Sequence, residues 1–239
     1  MVPPGERIYA IGDIHGRLDL IEALLGRIVA DDRARPEAQT QLIFLGDLID
    51  RGPQSAQVIE FALGLESSAW NCRFLLGNHE EVFLKALTGD LKALAFFIRI
   101  GGRETILSYG VSEAEYAESD YPELLELLVA RVPASHVEFL NRFEDLIVAG
   151  DYAFVHAGVR PGQQLADQRT RDLRWIRSEF LDHPEDHGKI IVHGHTVTDD
   201  AQFRHNRIGI DTGAYASGKL TALALEGAER WVLDTAGQK

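Results

Sequence analysis

The sequence predicts an α/β fold, because short apolar runs alternate along the chain with segments of helical periodicity. The run at residues 8–11 is followed by apolar residues at helical spacing over residues 18–28, and then by the run at residues 42–45. A strand, a helix and a second strand in this order are typical of a parallel sheet with crossover helices. From these patterns alone we expect a single doubly wound sheet.

The next elements continue the alternation. The first helical pattern stops before Pro36, and Pro53 suits the first turn of a second helix that runs to about residue 65. Residues 73–76 are apolar enough to be a third strand, and we expect Cys72 beside them to be a small buried residue.

The pattern then becomes helical without a convincing strand. Residues 84–142 carry leucines and phenylalanines at helical spacing, and Pro122 and Pro133 are placed to begin or separate helices. We therefore predict one domain over residues 1–239, with a helical insertion at about residues 84–142 that follows the third strand.

The last third of the chain returns to strands. Residues 146–148 and 152–155 flank Gly150 and Asp151, which is a hairpin signal. We predict a helix over residues 173–181 and a strand over residues 190–192. In the tail we predict antiparallel strands at residues 208–210, 220–225 and 231–233.

Composition excludes several classes of function. The formal net charge of −13 argues against a nucleic-acid polymer as partner, because such binding needs clustered Lys and Arg. The single cysteine leaves no internal disulfide and suits a reducing compartment. No apolar stretch is long enough to span a membrane, and the first residues show no signal-peptide pattern. We expect a cytoplasmic protein without a membrane partner.

Five segments place glycine beside metal-binding residue types, most of them directly after an apolar run. Residues two apart in an extended chain point the same way, so Asp13 and His15 can offer an oxygen and a nitrogen to one ion. The five segments are Gly12-Asp13-Ile14-His15-Gly16, Gly46-Asp47-Leu48-Ile49-Asp50-Arg51-Gly52, Gly77-Asn78-His79-Glu80, His156-Ala157-Gly158 and His193-Gly194-His195-Thr196.

These residue types suit two-metal hydrolysis, in which a shared carboxylate offsets the repulsion between the ions. Asp47 is the candidate bridge, because it lies between the other ligands in the chain and ends a central strand. Asp13 and His15 would complete the ligands of one ion. The other ion would be held by Asn78, His156 and His195. Mixed His, carboxylate and amide ligands suit Mn, Fe or Zn better than Ca or Mg, and Mn is our first expectation.

The same segments supply the remaining parts of a hydrolytic site. Water that bridges two cations loses a proton near neutral pH, so no Ser or Cys nucleophile is needed. We expect His79 to protonate the leaving group and Asp50 to hold its ring. Arg51 is predicted to bind phosphate through its planar guanidinium group. As a second phosphate-binding arginine we favour Arg177 over Arg174.

With these motifs, residues 8–225 resemble the phosphoprotein phosphatase family of binuclear metallophosphoesterases. The resemblance implies a β-sandwich flanked by helices, with two metal ions at one edge of the sandwich. It replaces the single sheet expected above. It also supports the ligand set given above, with His195 rather than His193 as a metal ligand. His193 is then expected to be a polar residue at the end of its strand.

The resemblance covers more than one chemistry. Asp50 and Glu80 are similar to the phosphatase pattern, so our first hypothesis is a serine/threonine-type phosphoprotein phosphatase or broad phosphomonoesterase. Its partner would be a phosphorylated protein or a small phosphate ester. The second hypothesis is a symmetrical diadenosine tetraphosphatase, and the third hypothesis is a non-catalytic phosphate-binding module. The remaining histidines lie outside every motif and are expected at the surface: His136, His183, His187 and His205.

Overall fold

The computed structural model describes residues 1–68 and 70–236, and its strands lie in two five-stranded sheets. The strands are β1 Glu6–Ile11, β2 Gln39–Phe44, β3 Asn71–Phe74, β4 Ile147–Ala149, β5 Tyr152–Phe154, β6 Ile190–His193, β7 Gln202–Phe203, β8 Arg207–Gly209, β9 Thr221–Glu226 and β10 Glu229–Asp234. The helices are α1 Leu18–Arg33, α2 Ser55–Glu66, α3 Asn78–Leu87, α4 Leu91–Phe97, α5 Arg103–Ser108, α6 Glu113–Glu118, α7 Tyr121–Arg131, α8 Ala134–Leu140, α9 Thr170–Trp175, α10 Ser178–Leu181 and α11 Ala214–Ser217.

The first sheet has the strand order β10-β9-β1-β2-β3. Strands β1, β2 and β3 are parallel and are joined by the crossover helices α1 and α2, as the sequence pattern predicts. Strand β9 runs antiparallel to β1 and pairs with β10. The carboxyl ends of β1, β2 and β3 therefore meet at one edge of the sheet.

The second sheet has the order β4-β5-β6-β8-β7, with β5, β6 and β8 parallel. Strands β4 and β5 form the predicted hairpin around Gly150 and Asp151. We expected residues 208–210 to begin a set of antiparallel strands. This is wrong for the pairing of β8 with β6, because these two strands run parallel. Strand β8 is antiparallel only to the short edge strand β7.

The two sheets pack face to face through the side chains that alternate along each strand. Ile8 and Ala10 of β1 join Phe154 of β5 in the apolar core between the sheets. Tyr9 and Ile11 point the other way, into the core under the helices. This arrangement confirms the β-sandwich flanked by helices and shows that a single doubly wound sheet is wrong.

Helices α9 and α10 cover the outer face of the second sheet. Leu173 and Phe180 of these helices pack on Ala153 and Ile191 of β5 and β6. The predicted single helix over residues 173–181 is wrong, because the chain leaves the helical conformation at Ile176, between α9 and α10. The break changes the chain direction just before Arg177.

Residues 84–142 are helical, and no strand of the described chain lies between β3 and β4. Pro122 is in the first turn of α7, where a missing N–H costs no intrahelical bond, and Asp120 caps that helix. Pro133 directly precedes α8. Residues Ile98–Gly102 form a π-helical turn that is kinked at Gly101, whose φ of 120° is not helical. This turn faces the residues predicted to bind metal and phosphate.

His136 is not at the surface as expected. It is 3% exposed and lies between the Tyr109 hydroxyl, 2.9 Å from Nδ1, and Glu60 Oε2, 2.9 Å from Nε2. The other three histidines are partly or fully exposed.

Among the described helices, none combines the length and the apolar character that crossing a bilayer requires.

Candidate metal centre

The residues predicted to bind metal all follow parallel strands, at the edge where the two sheets meet. The first sheet presents its candidates after β1, β2 and β3, and the second sheet after β5 and β6. In order along the chain they are Asp13, His15, Asp47, Asn78, His156 and His195. Each of them is buried, with exposed fractions of 6% or less.

The backbone is strained at this edge. A positive φ in a non-glycine residue costs about 1–3 kcal/mol and persists where the surroundings enforce it. Among the described residues, every non-glycine residue with positive φ is one that the sequence assigns to the site. They are His15 (48°), Asp47 (49°), Asp50 (74°), Arg51 (67°) and His195 (63°).

Two glycines leave room for the carboxylates. A Cβ atom on Gly77 would lie 2.1 Å from Asp47 Oδ1, and one on Gly194 would lie 2.0 Å from Asp13 Oδ1. Any larger residue at either position would push a carboxylate out of place. The glycine in front of Asn78 and the one in front of His195 are therefore required by close approach.

Asp47 lies at the middle of the site. Its Oδ2 atom is 3.7 Å from His15 Nε2 and 3.4 Å from His156 Nε2. Two groups with ligand atoms within 4.8 Å of one another share this residue: one adds His15 and His79, and the other adds His156 and His195. The second group also receives Asn78, whose Oδ1 is 3.0 Å from His156 Nε2. Asp47 is thus placed as the common member of two adjacent donor sets.

The hydrogen bonds select histidine tautomers that suit cations. His15 Nδ1 donates to the carbonyl of Ile49, and His156 Nδ1 donates to the carbonyl of Leu45, both at 2.7 Å. Each Nε2 then presents a lone pair to the Asp47 carboxylate. Lone pairs facing one another repel unless a cation lies between them, so this donor set fits a metal ion.

The electrostatics agree with this assignment. Burial lowers the pKa of His15 to about 3 and that of His195 to about 2, so both rings are neutral. Burial also opposes protonation of His156, but the Asp47 carboxylate outweighs it and raises its pKa. Within the described chain, His195 Nε2 is buried without a hydrogen-bond partner. The negative charge of Asp47, which favours a proton on His156, also favours a metal cation at the same place.

Asp13 lies beside these two groups rather than within them. Its two carboxylate oxygens accept the backbone N–H of His195 at 3.2 and 3.0 Å. Burial and the nearby Asp211 and Asp47 carboxylates raise its pKa well above the ordinary value. Asp211 is 2% exposed and follows β8. Three buried carboxylates so close together favour positive ions among them.

His79 and Asp50 form a buried pair. His79 Nδ1 donates to Asp50 Oδ2 at 2.6 Å, and Thr105 Oγ1 donates to Asp50 Oδ1 at 2.6 Å. Burial opposes protonation of His79, but Asp47 and Asp50 together raise its pKa. Thr105 lies in α5, inside the helical insertion, and no sequence motif pointed to it.

Arginines surround a cavity of about 350 Å³ in front of the donor atoms. Its walls include Arg51, Arg99 and Arg177 together with Trp175. The structure places Arg177 in this cavity, whereas Arg174 pairs with Asp145 at 2.7 Å. Arg99 was not predicted from the sequence, because its π-helical turn carries no recognisable motif.

Arg51 is held by its own neighbours. Its backbone N–H donates to the carbonyl of Gly101 at 3.0 Å, and its guanidinium carbon lies 4.7 Å above the Tyr215 ring. One of its terminal nitrogens is 3.2 Å from His79 Nε2. The phosphate-binding candidate and the proton-donor candidate therefore face the same point of the cavity.

Glu80 has a structural task that the sequence did not reveal. Its carboxylate accepts the backbone N–H groups of Asp47, Leu48, Ile49 and Gly77 at 2.7–3.2 Å. It is completely buried. Glu80 thus connects the Asp47 loop to the start of α3.

His193 is also buried, and its Nδ1 lies 3.0 Å from the carbonyl of Gly194, away from the donor groups.

The chain is similar to known phosphoesterases over most of its length. Residues 6–218 match the family described as calcineurin-like phosphoesterase. The chain is 27% identical to the asymmetrical bis(5'-nucleosyl)-tetraphosphatase PrpE of Anoxybacillus flavithermus, covering 89% of this chain and 88% of the relative. It is 26% identical to the symmetrical bis(5'-nucleosyl)-tetraphosphatase of Neisseria gonorrhoeae, covering 96% of both.

A solved structure described as a putative diadenosine tetraphosphatase has the same fold. It superposes with a TM-score of 0.67 at 20% sequence identity and covers 100% of this chain and 97% of its own.

Proposed function

The chain belongs to the calcineurin-like phosphoesterase family of hydrolases, and from that membership we propose that it hydrolyses dinucleoside polyphosphates. The observation that carries the proposal is the cavity of about 350 Å³ that joins the metal-binding candidates to Arg51, Arg99 and Arg177. Several guanidinium groups around one small space suit a substrate with several phosphates in a row.

This proposal reverses the order of hypotheses taken from the sequence. A phosphoprotein would have to bring its backbone close to a small cavity whose wall includes Arg99 and Ile100 of the π-helical turn. A polyphosphate chain is narrow and can enter with its nucleosides outside. The tetraphosphatase names of the similar proteins support the same order. A purely phosphate-binding role is set aside, because the family consists of hydrolases and no predicted catalytic residue is missing.

We propose the sequence-derived residues as the metal ligands. Asp13, His15 and Asp47 would hold one ion, and Asp47 would also hold the second. Asn78, His156 and His195 would complete the second set. Two bound divalent ions supply Lewis acidity and an activated water near neutral pH. Manganese remains our first candidate, since His, carboxylate and amide donors suit it.

The residues of the chain then have distinct tasks. Arg51, Arg99 and Arg177 bind and orient the phosphates so that the bond to be cleaved lies in front of the donor atoms. His79 holds a proton at Nε2 for the leaving oxygen, and Asp50 keeps the ring in that orientation. A nucleotide phosphate leaves with less need for a proton than an alkoxide does, because its conjugate acid is stronger.

The His79–Asp50 pair favours phosphomonoester hydrolysis as a second candidate function. A protonated imidazole contributes most when the leaving group is a serine or threonine alkoxide. The 2.6 Å hydrogen bond holds such an acid ready.

Purified protein with Mn²⁺ should be given diadenosine tetraphosphate and, separately, phosphoserine and phosphothreonine peptides. We expect kcat/KM for the dinucleotide to exceed that for either peptide by at least about tenfold, and the products to identify the anhydride that is cleaved. Protein stripped with a chelator is the control and should cleave neither. Faster turnover of a phosphopeptide than of the dinucleotide would reject the proposal in favour of the second candidate.

A further inference from the structure

A second groove adjoins the metal-binding cavity. It has a volume of about 740 Å³ and lies along α9, where its walls include Arg160, Arg169, Arg171 and Arg177. Arg177 and Trp175 also line the smaller cavity in front of the donor atoms. A ligand bound at the metal centre can therefore continue past Arg177 into the groove without leaving the protein surface.

The groove carries unused positive charge. Arg160 pairs with Asp172 at 2.8 Å and with Glu179 at 2.5 Å. The other three arginines are exposed at the surface, and none of them has a carboxylate oxygen within 4.0 Å in the described chain. On a protein with a formal net charge of −13, three free guanidinium groups in one groove are a specific anion-binding feature.

The acidic residues of the groove do not cancel this charge. The hydrogen bond from Arg160 lowers the pKa of Asp172, and the charges of Arg169 and Arg171 add to the effect. Asp172 is thus already engaged with Arg160, which donates to both of its oxygens at 3.1 and 2.8 Å. Arg169 and Arg171 stay available for a ligand.

We propose that this groove binds the part of a polyphosphate chain that extends beyond the reacting phosphate, with Arg169 and Arg171 as specificity-determining residues. The inference rests on the proposed function and adds to it a preference for long phosphate chains. Phosphates in such a chain follow one another more closely than the acidic side chains on one face of an extended peptide, which are about 7 Å apart. Arg169, Arg171 and Arg177 are grouped around one short helix and match the denser ligand.

The first test is a double charge reversal, R169E/R171E. The ratio of kcat/KM for diadenosine tetraphosphate to that for p-nitrophenyl phosphate should fall at least about tenfold, mainly through KM of the dinucleotide. R33E/R204E is the matched control, because Arg33 and Arg204 are exposed, line neither cavity and change the net charge equally. The control should leave the ratio within about twofold.

The second test does not need a dinucleotide substrate. Inorganic tripolyphosphate and orthophosphate compete with p-nitrophenyl phosphate at saturating Mn²⁺. We expect tripolyphosphate to inhibit wild-type protein with a Ki at least about tenfold below that of orthophosphate. R169E/R171E should abolish the difference, and R33E/R204E should keep it.

The two tests separate the two proposals. If wild-type protein does not cleave diadenosine tetraphosphate but tripolyphosphate still binds through Arg169 and Arg171, the proposed function fails and the groove assignment holds. If R169E/R171E changes neither the kcat/KM ratio nor the tripolyphosphate Ki, the groove assignment is overturned whatever the substrate. It is also overturned if the variant loses turnover only on phosphopeptides with acidic flanking residues.

Discussion

His79 Nδ1 lies 2.6 Å from Asp50 Oδ2, and both side chains are buried, with exposed fractions of 2% and 0%. Asp50 is itself fixed, because its Oδ1 accepts a hydrogen bond from Thr105 Oγ1 and its backbone N–H donates one to Ser55 Oγ. Because Asp50 occupies Nδ1, only Nε2 of His79 can deliver a proton to the cavity. In the proposed mechanism, the pair would orient one proton toward the leaving oxygen.

The variant His79→Asn should retain bound metal and lose roughly 10²–10⁴-fold in kcat on an alkyl phosphate, the range that general acid catalysis contributes. The loss on p-nitrophenyl phosphate should be much smaller, since its leaving group needs no proton. Steady-state kinetics on both substrates, with metal analysis of the variant, check this. Equal losses on the two substrates would argue against His79 as the acid.

The variant Asp47→Asn should lose at least one of the two metal ions, because it removes the negative charge shared by both donor groups. Metal analysis of dialysed protein measures the loss directly. Asp200→Asn, at an exposed ion pair with Lys219, is the control and should keep the wild-type metal content. If Asp47→Asn binds as much metal as wild type, Asp47 is not the bridge.

The variant Glu80→Gln should be less stable by about 2–4 kcal/mol, because an amide NH₂ would then face backbone N–H donors in a buried place. For a chain of this length, that cost corresponds to a fall in Tm of roughly 5–15 °C. Glu66→Gln, which breaks an exposed pair with Arg142, should change stability by less than about 1 kcal/mol. Thermal and urea unfolding of both variants measure the difference, and similar Tm values would remove Glu80 from its anchoring role.

The variant Gly101→Ala should raise KM while leaving metal content intact. Its Cβ would lie 2.7 Å from Arg51 Cγ, so Arg51 would have to move. Gly110→Ala is the matched control, because Gly110 also has a positive φ (87°) but has open space around its Cβ. Both variants carry backbone strain, and only the first disturbs Arg51. If both raise KM equally, the contact with Arg51 is not responsible.

The sequence predicted the order of strands and helices better than their arrangement. The apolar runs at residues 8–11 and 190–192 look alike, because both strands are buried on both faces. Periodicity alone does not say which sheet each run joins. The arrangement in two sheets was therefore predicted only by the resemblance to a known family. The break at Ile176 was missed because apolar residues at helical spacing continue across it.

The candidate site was predictable where residue type and spacing carry the chemistry, as at Asp13, His15 and Asp47. Residues that act through long-range contacts were not predictable. Thr105 reaches Asp50 from 55 positions away in the chain, and Arg99 belongs to a π-helical turn without a motif. His136 was misplaced because its partners, Tyr109 and Glu60, are brought together only by the fold.

The two sheets meet at the proposed metal centre, so bound ions would have a mechanical role as well as a chemical one. Asp47 belongs to one half of the sandwich, and His156 and His195 belong to the other. An ion bound by these residues would link the two sheets. Removing it with a chelator should therefore lower Tm by several degrees and speed proteolysis. Calorimetry with and without Mn²⁺ measures the effect. Identical melting curves would mean that apolar packing alone holds the two sheets together.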